Sequence, residues 1–328
     1  MNKLISLCCL LFCVVGCSSA GKQQAVKTDQ TAQVAVPQFD PDSSFLYVKT
    51  QCDFGPRVPN SKAHEACGEY LAHQMERFGA KVIRQKADLK GYDGTILKST
   101  NIIASYRPDL KERILLCAHW DCRPWCDQDK DPANHHKPVM GANDAASGVG
   151  VLMEVARQLN KQQPAVGIDL IFLDSEDYGT PEFYNGPKDE DSWCLGTQYW
   201  AKNPHVKGYK ARFGILLDMV GAPEAVFYKE QESLGFAPSV VDKVWNKARE
   251  YGFTSYFMDG TGGAITDDHI YVNRLAGIPC IDIIHFDPHS ATGFGSYWHT
   301  THDTMDNVNR QTLQVVGQTL LGVIYSEK

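Results

Sequence analysis

Ile168-Asp169-Leu170-Ile171-Phe172-Leu173-Asp174-Ser175-Glu176-Asp177 is the stretch that decides the fold. The run 168–173 reads as a buried strand, and strands of this kind belong to parallel sheets covered on both faces. It stops at a pair of adjacent carboxylates. In an open parallel sheet the crevice beyond the strand ends is where ligands bind. Neighbouring residues leave a strand end in opposite directions, so Glu176 and Asp177 can take different work, one holding a metal and the other moving protons. An acidic pair by itself reads as a solvated turn. Gly141-Ala142-Asn143-Asp144, Leu216-Leu217-Asp218 and Trp298-His299-Thr300 reverse that reading.

Working outward, residues 113–118 form another apolar strand, which runs into His119-Trp120-Asp121. Residues 212–217 lead to Asp218, and 278–284 precede the loop that carries Phe294, Trp298 and His299. Shorter strands are expected at 81–85, 99–106 and 226–229. Helices are expected at 41–49, 61–78, 145–159, 194–201, 239–251 and 310–325. Asp144 precedes the third helix, whose small residues Ala145 to Gly148 allow close approach to a sheet. It is either that helix's cap or a ligand. Two long polar loops, 122–140 and 178–192, have the length usually kept for function. Strands alternate with helices and no linker intervenes. The expectation is therefore one α/β domain over 37–328, a mostly parallel mixed sheet with helices on both faces. His119, Asp144, Glu176, Asp177 and Asp218 all fall at or just beyond C-terminal strand ends, which points to a single site.

The 328 residues are 43% hydrophobic and 22% charged, ordinary for a globular protein, and the net charge of −7 argues against nucleic-acid binding. The first residues are a targeting segment: Lys3, then an apolar stretch at 4–15 too short to span a membrane. It ends at Val14-Val15-Gly16-Cys17, which resembles a bacterial lipobox. Residues 1–16 are thus expected to be a lipoprotein signal peptide, Cys17 the lipidated residue and 17–36 a flexible tether. The expected result is an exported, membrane-anchored protein facing the periplasm. Ser18 after the cysteine, with no acidic run behind it, favours the outer membrane. Seven cysteines follow the leader, an odd number whose pairing the sequence leaves open. Cys122 and Cys126 are either a small staple or a coincidence.

Catalytic zinc takes imidazole nitrogen and carboxylate oxygen from three protein ligands and keeps a fourth position open. Asp144, Asp177 and His299 make such a set. Glu176, beside a ligand, is placed as the general base.

His119-x-Asp121, Gly141-Ala142-Asn143-Asp144, Glu176-Asp177, Leu217-Asp218-Met219-Val220-Gly221, Asp267-Asp268-His269 and Trp298-His299-Thr300 run in order through nearly the whole chain after the leader. Together they resemble the zinc aminopeptidase superfamily with its phosphorylase/hydrolase-like fold, and within it the animal-type (type II) glutaminyl cyclases. That resemblance implies a zinc-dependent glutaminyl-peptide cyclotransferase, a monomeric catalytic domain acting on peptides or proteins that begin with glutamine. It implies one zinc per chain on Asp144, Asp177 and His299, with Glu176 as acid and base. Asp218 and Asp267 would share a proton near the leaving nitrogen, and Trp298, Phe294 and Trp193 would wall the pocket. His119, Asp121, Asp268 and His269 would stand behind the ligands. The alternative is a two-zinc exported aminopeptidase, in which Asp144 bridges and His119 and Asp218 hold the second ion. Asp267 before Asp268-His269, Trp298 before His299, and Phe294 favour the cyclase. Asp177 departs from both branches, where glutamate is usual.

Overall fold

Eight strands and eight helices follow one another in the computed structural model, which describes residues 35–328. The signal peptide, Cys17 and most of the tether expected from the sequence lie outside the described residues. In chain order the first elements are α1 (Pro41–Asp53), α2 (Lys62–Arg77), β1 (Lys81–Lys90), β2 (Ile96–Tyr106) and β3 (Arg113–His119). The middle of the chain gives α3 (Ala146–Lys161), β4 (Gly167–Leu173), α4 (Leu195–Lys202), β5 (Gly214–Asp218) and β6 (Phe227–Lys229). Then come α5 (Gln231–Phe236), α6 (Pro238–Glu250), β7 (Phe257–Thr261), α7 (Asp268–Tyr271), β8 (Cys280–Ile284) and α8 (Arg310–Ser326).

Six strands form the central sheet in the order β1-β2-β4-β3-β5-β8, and β6 pairs with β7 beside it. β4, β3, β5 and β8 are parallel, while β1 and β2 join antiparallel at the other edge. This is the mixed, mostly parallel sheet expected. β4 sits inside it and buries both faces. Ile168, Leu170 and Phe172 enter the core shared with α1, α3 and α8, and Ile171 and Leu173 enter the core on the α4 side. Each such side chain contributes about 1.5–3 kcal/mol on burial. Asp169, in the same strand, is buried too. It is matched by Arg113 (2.6 and 2.7 Å), Ser105 Oγ (2.6 Å) and Tyr209 Oη (2.8 Å). A buried charge is tolerable only with such pairing.

The β1–β2 hairpin extends well past the 81–85 and 99–106 expected, up to the turn at Gly91 and Gly94. Its outer residues Lys86, Asp88 and Lys90 are polar because β1 is an edge strand, where charge blocks unwanted pairing. That same polarity hides it from a search for apolar runs. β7 escapes such a search for the same reason, since three of its five residues are exposed.

Helix α3 approaches the sheet closely, as its small residues predict. A Cβ on Gly148 would stand 2.5 Å from the Leu217 carbonyl oxygen. Its N-cap is Ala145, with no side-chain cap bond, so Asp144 is not spent on capping. All seven cysteines after the leader are free thiols, and Cys122 and Cys126 do not form the staple left open by the sequence.

Candidate active site

The C-terminal ends of β3, β4 and β5 bring His119, the 174–177 turn and Asp218 together. Asp144 joins them from the start of α3, Asp267 from the start of α7, and His299 from the loop after β8. Non-glycine residues with left-handed backbone stand at three of these places: Ser175 (φ 56°), Met219 (φ 48°) and His299 itself (φ 52°). Such residues cost about 1–3 kcal/mol each and persist where the surroundings over-determine them. Ser147 Oγ and Asn143 Oδ1 accept the amides of Val220 (3.0 Å) and Gly221 (2.7 Å) after Met219, and two buried carboxylates fix the neighbouring turns. Asp121 accepts the amides of Glu176 (3.1 Å) and Asp177 (3.2 Å), and Asp303 accepts those of Asn143 (2.7 Å) and Asp144 (3.0 Å).

Asp144, Asp177 and His299 converge, their donor atoms all within 4.8 Å of one another. His299 Nε2 lies 3.2 Å from Asp177 Oδ1 and 3.5 Å from Asp144 Oδ2. Zinc bonds of about 2.0–2.1 Å in a tetrahedron put neighbouring donors about 3.3–3.4 Å apart, so this set fits zinc. Asp177 Oδ2 is buried with no hydrogen bond, a further oxygen left for an ion. His119, Asp144 and Asp218 form a second convergent set. There His119 Nε2 is 2.9 Å from Asp144 Oδ1 and 3.3 Å from Asp218 Oδ1.

Glu176 and Asp177 have different partners. The Glu176 carboxylate lies 3.8 Å from His119 Nδ1 and accepts from Cys194 Sγ at 3.3 Å. Burial, reinforced by Asp177, Asp267 and Asp268 and only partly relieved by His119, holds its pKa well above the usual carboxylate range. Burial and then the Asp144 charge raise Asp218 to about 6. Burial and then Asp218 raise Asp267 well above the ordinary range. A site lined with protonatable carboxyls can hold and move a proton near neutral pH.

The pocket has a volume of about 180 Å³, room for one residue. Trp193, Phe294 and Trp298 all line it. The rings of Phe294 and Trp298 are 4.6 Å apart, and Trp298 stacks on His299 at 3.9 Å. Arg123 forms the floor on the Trp193 side, with its guanidinium 4.5 Å from that ring. It is fully buried and forks onto Asp127 at 2.7 and 2.6 Å, and it donates to the Asp177 carbonyl oxygen at 3.1 Å.

Further buried polar groups stand around these residues. Asp121 is 3.5 Å from His119 Nδ1. The carboxylate is committed to the two amides of the Glu176 turn. His269 stands behind the pocket, 3.1 Å from Glu230 and 3.9 Å from Asp282, and belongs to neither donor set around Asp144. Asp268 is buried, and burial lifts it to about 7. Arg123, Asp127, Asp303 and Asp282 were not singled out in the sequence. Arg123 and Asp127 lie in what reads as a polar loop, though their i,i+4 spacing with opposite charge was a signal. Asp282, inside the apolar β8, was a clearer one.

The model for peptidase family M28 matches residues 101–324. Among solved structures, a glutaminyl cyclase of Bacteroides thetaiotaomicron bound to N-acetylhistamine is 61% identical. The match covers 90% of this chain and 100% of that one, with a TM-score of 0.88. A structure described as a leucine aminopeptidase precursor of the same organism is 60% identical over 90% of this chain and 99% of that one, TM-score 0.87. The bovine glutaminyl-peptide cyclotransferase is 25% identical over 294 residues, 80% of this chain and 76% of the bovine one.

Proposed function

This chain belongs to peptidase family M28 as a zinc-dependent glutaminyl cyclase, and we propose that Glu176 is its proton carrier and Asp144, Asp177 and His299 its zinc ligands. The enzyme converts the N-terminal glutamine of a peptide to pyroglutamate and releases ammonia. The observation that carries the residue assignment is the placing of Glu176. It is a buried carboxyl of raised pKa on one side of a turn whose other side, Asp177, enters a donor set of zinc dimensions.

Zinc held there supplies a Lewis acid for the side-chain carbonyl. The rest falls to the protein. Trp298, Phe294 and Trp193 enclose the glutamine stem and keep water out, which turns ring closure into a reaction of two groups already in contact. Glu176 takes a proton from the α-amine as the new C–N bond forms. The bond to the side-chain amide nitrogen then breaks, and Glu176 returns the proton to the departing ammonia. Asp218 and Asp267, both shifted upward, keep protons available on that side of the pocket.

One zinc per chain is our reading. His119 Nε2 stands 2.9 Å from Asp144 Oδ1, closer than the about 3.3–3.4 Å that two ligands on one tetrahedral ion would keep, and it hydrogen-bonds Asp218 Oδ1 at 3.3 Å. The backbone of Asp177 is held by Arg123 at 3.1 Å.

The test is a peptide beginning with glutamine, with product mass and ammonia followed together. Loss of ammonia from an otherwise intact peptide is expected, and release of free glutamine would move the chain to the two-zinc aminopeptidases. The proposed export and anchoring rest on the leader at 3–15 and the Val14-Val15-Gly16-Cys17 motif, and the choice of the outer membrane rests on Ser18 with no acidic run behind it. Cys17→Ser should move the protein to the soluble fraction with activity unchanged; an unchanged membrane fraction would remove Cys17 as the anchor.

A further inference from the structure

Behind the catalytic turn, on the side away from substrate, lies a cavity of about 470 Å³ between α2 and the β1–β2 hairpin. His64 and Trp120 line it, and none of its lining residues lines the reaction pocket. His64 is nonetheless buried, and its ring stacks on Trp120 with centroids 4.3 Å apart. Its Nε2 reaches the Asp174 carboxylate at 2.8 and 3.0 Å.

Asp174 is fully buried and is the residue on which the catalytic turn begins. Its carboxylate also accepts the amides of Thr100 (2.5 Å) and Ser175 (2.7 Å), while its own amide donates to Asn101 Oδ1 at 3.0 Å. The next residue, Ser175, has the left-handed backbone that swings Glu176 into the pocket. A strained turn keeps its shape only when bonds fix it from outside. Asp121 supplies two of them, to the Glu176 and Asp177 amides, and the His64–Asp174 pair supplies the anchor at the start of the turn. Burial alone would depress the His64 pKa, but Asp174 more than offsets this and raises it, so the contact is a charge-assisted one.

We infer that His64 is a positioning residue for the reaction: through Asp174 it fixes the Ser175 turn and hence the approach of Glu176 to the amine. It touches no substrate. Ser61 caps α2 and accepts the His64 amide at 3.1 Å, which places the imidazole from a rigid helix end. A clamp of this kind governs rate more than binding, because small displacements of a proton carrier cost turnover steeply.

The test compares two substitutions with opposite losses. His64→Phe keeps an aromatic ring to stack on Trp120 but removes the N–H. His64→Gln gives up the ring and keeps a donor that reaches the Nε2 position. If His64 positions the turn through its hydrogen bond, the Phe variant should lose about tenfold or more in kcat with KM and zinc content unchanged. The Gln variant should stay within about threefold of the parent, even if its Tm is the lower of the two. A purely structural role reverses the order, with the Phe variant active and the Gln variant impaired; that result overturns the inference. So does a kcat for the Phe variant within about twofold of the parent, or a loss of activity that merely tracks zinc loss. Cyclisation by the unaltered enzyme in the same assay separates failure of this inference from failure of the functional reading beneath it.

Discussion

Replacing Arg123 with methionine should be among the most destabilising single changes near the pocket. The guanidinium is buried, its partner Asp127 equally so, and the two make two hydrogen bonds at 2.7 and 2.6 Å. Methionine fills much of the stem but leaves the Asp127 carboxylate buried, with only the Glu182 amide (2.9 Å) as a strong donor. Breaking a buried pair from one side costs about 3–5 kcal/mol. The Asp177 carbonyl oxygen loses its donor at the same time, which places the cost toward the upper end of that range. Against a total stability of about 5–15 kcal/mol, urea unfolding at 25 °C would resolve such a loss easily. Adding Asp127→Asn removes the stranded charge and keeps an oxygen for the Glu182 amide. The double variant should therefore recover at least about 1 kcal/mol relative to Arg123→Met alone. Zinc affinity of the single variant should fall about 10–100-fold, because the backbone carrying Asp177 is no longer held. A single-variant loss below about 1 kcal/mol, or a double variant less stable than the single, would refute the claim that this pair holds the pocket together.

Glu176→Gln should keep its zinc and lose about 10²–10⁴-fold in kcat, and substantial residual turnover would remove Glu176 as proton carrier. His299→Ala should lose metal and activity together; full zinc content measured by atomic emission would contradict its ligand role. The chelated protein should become less stable between about pH 5 and about pH 8. Asp268 and Asp303 sit near 7 and Asp218 near 6 in the fold, against an ordinary 3.8. The stability each adds is full below the ordinary value and is lost as pH rises through the folded one. His64, His119 and His299, also raised, act in the same direction, and the depressed His205 and His285 oppose them. Tm values that are flat or rising over that window would sink the assignment of protonated carboxyls.

The strand ends and their acids were legible because a buried strand is a local pattern. Apolar residues at 168–173 and 113–118 identify β4 and β3 wherever the chain takes them, and the residues just beyond such strands lie at the crevice. The six ordered motifs then fixed the family, with the metal and base residues carried on them. Burial on both faces also explains why the sheet's interior was read more accurately than its edge. The β1–β2 hairpin is charged along its outer half and leaves little apolar signal.

Only the tertiary structure decided the contacts between distant segments. Asp174 is buried where the catalytic turn begins, and its partner His64 lies 110 residues away. Asp303, which fixes the Asp144 amide from 159 residues further on, was invisible for the same reason. Arg123 and Asp127 are close in sequence, but their partners Asp177 and Glu182 lie 54 and 55 residues further on. Apolar burial is written residue by residue in a periodic pattern. A hydrogen bond or ion pair depends on two groups meeting at about 3 Å in one geometry, and the fold sets that distance, not the sequence near either group.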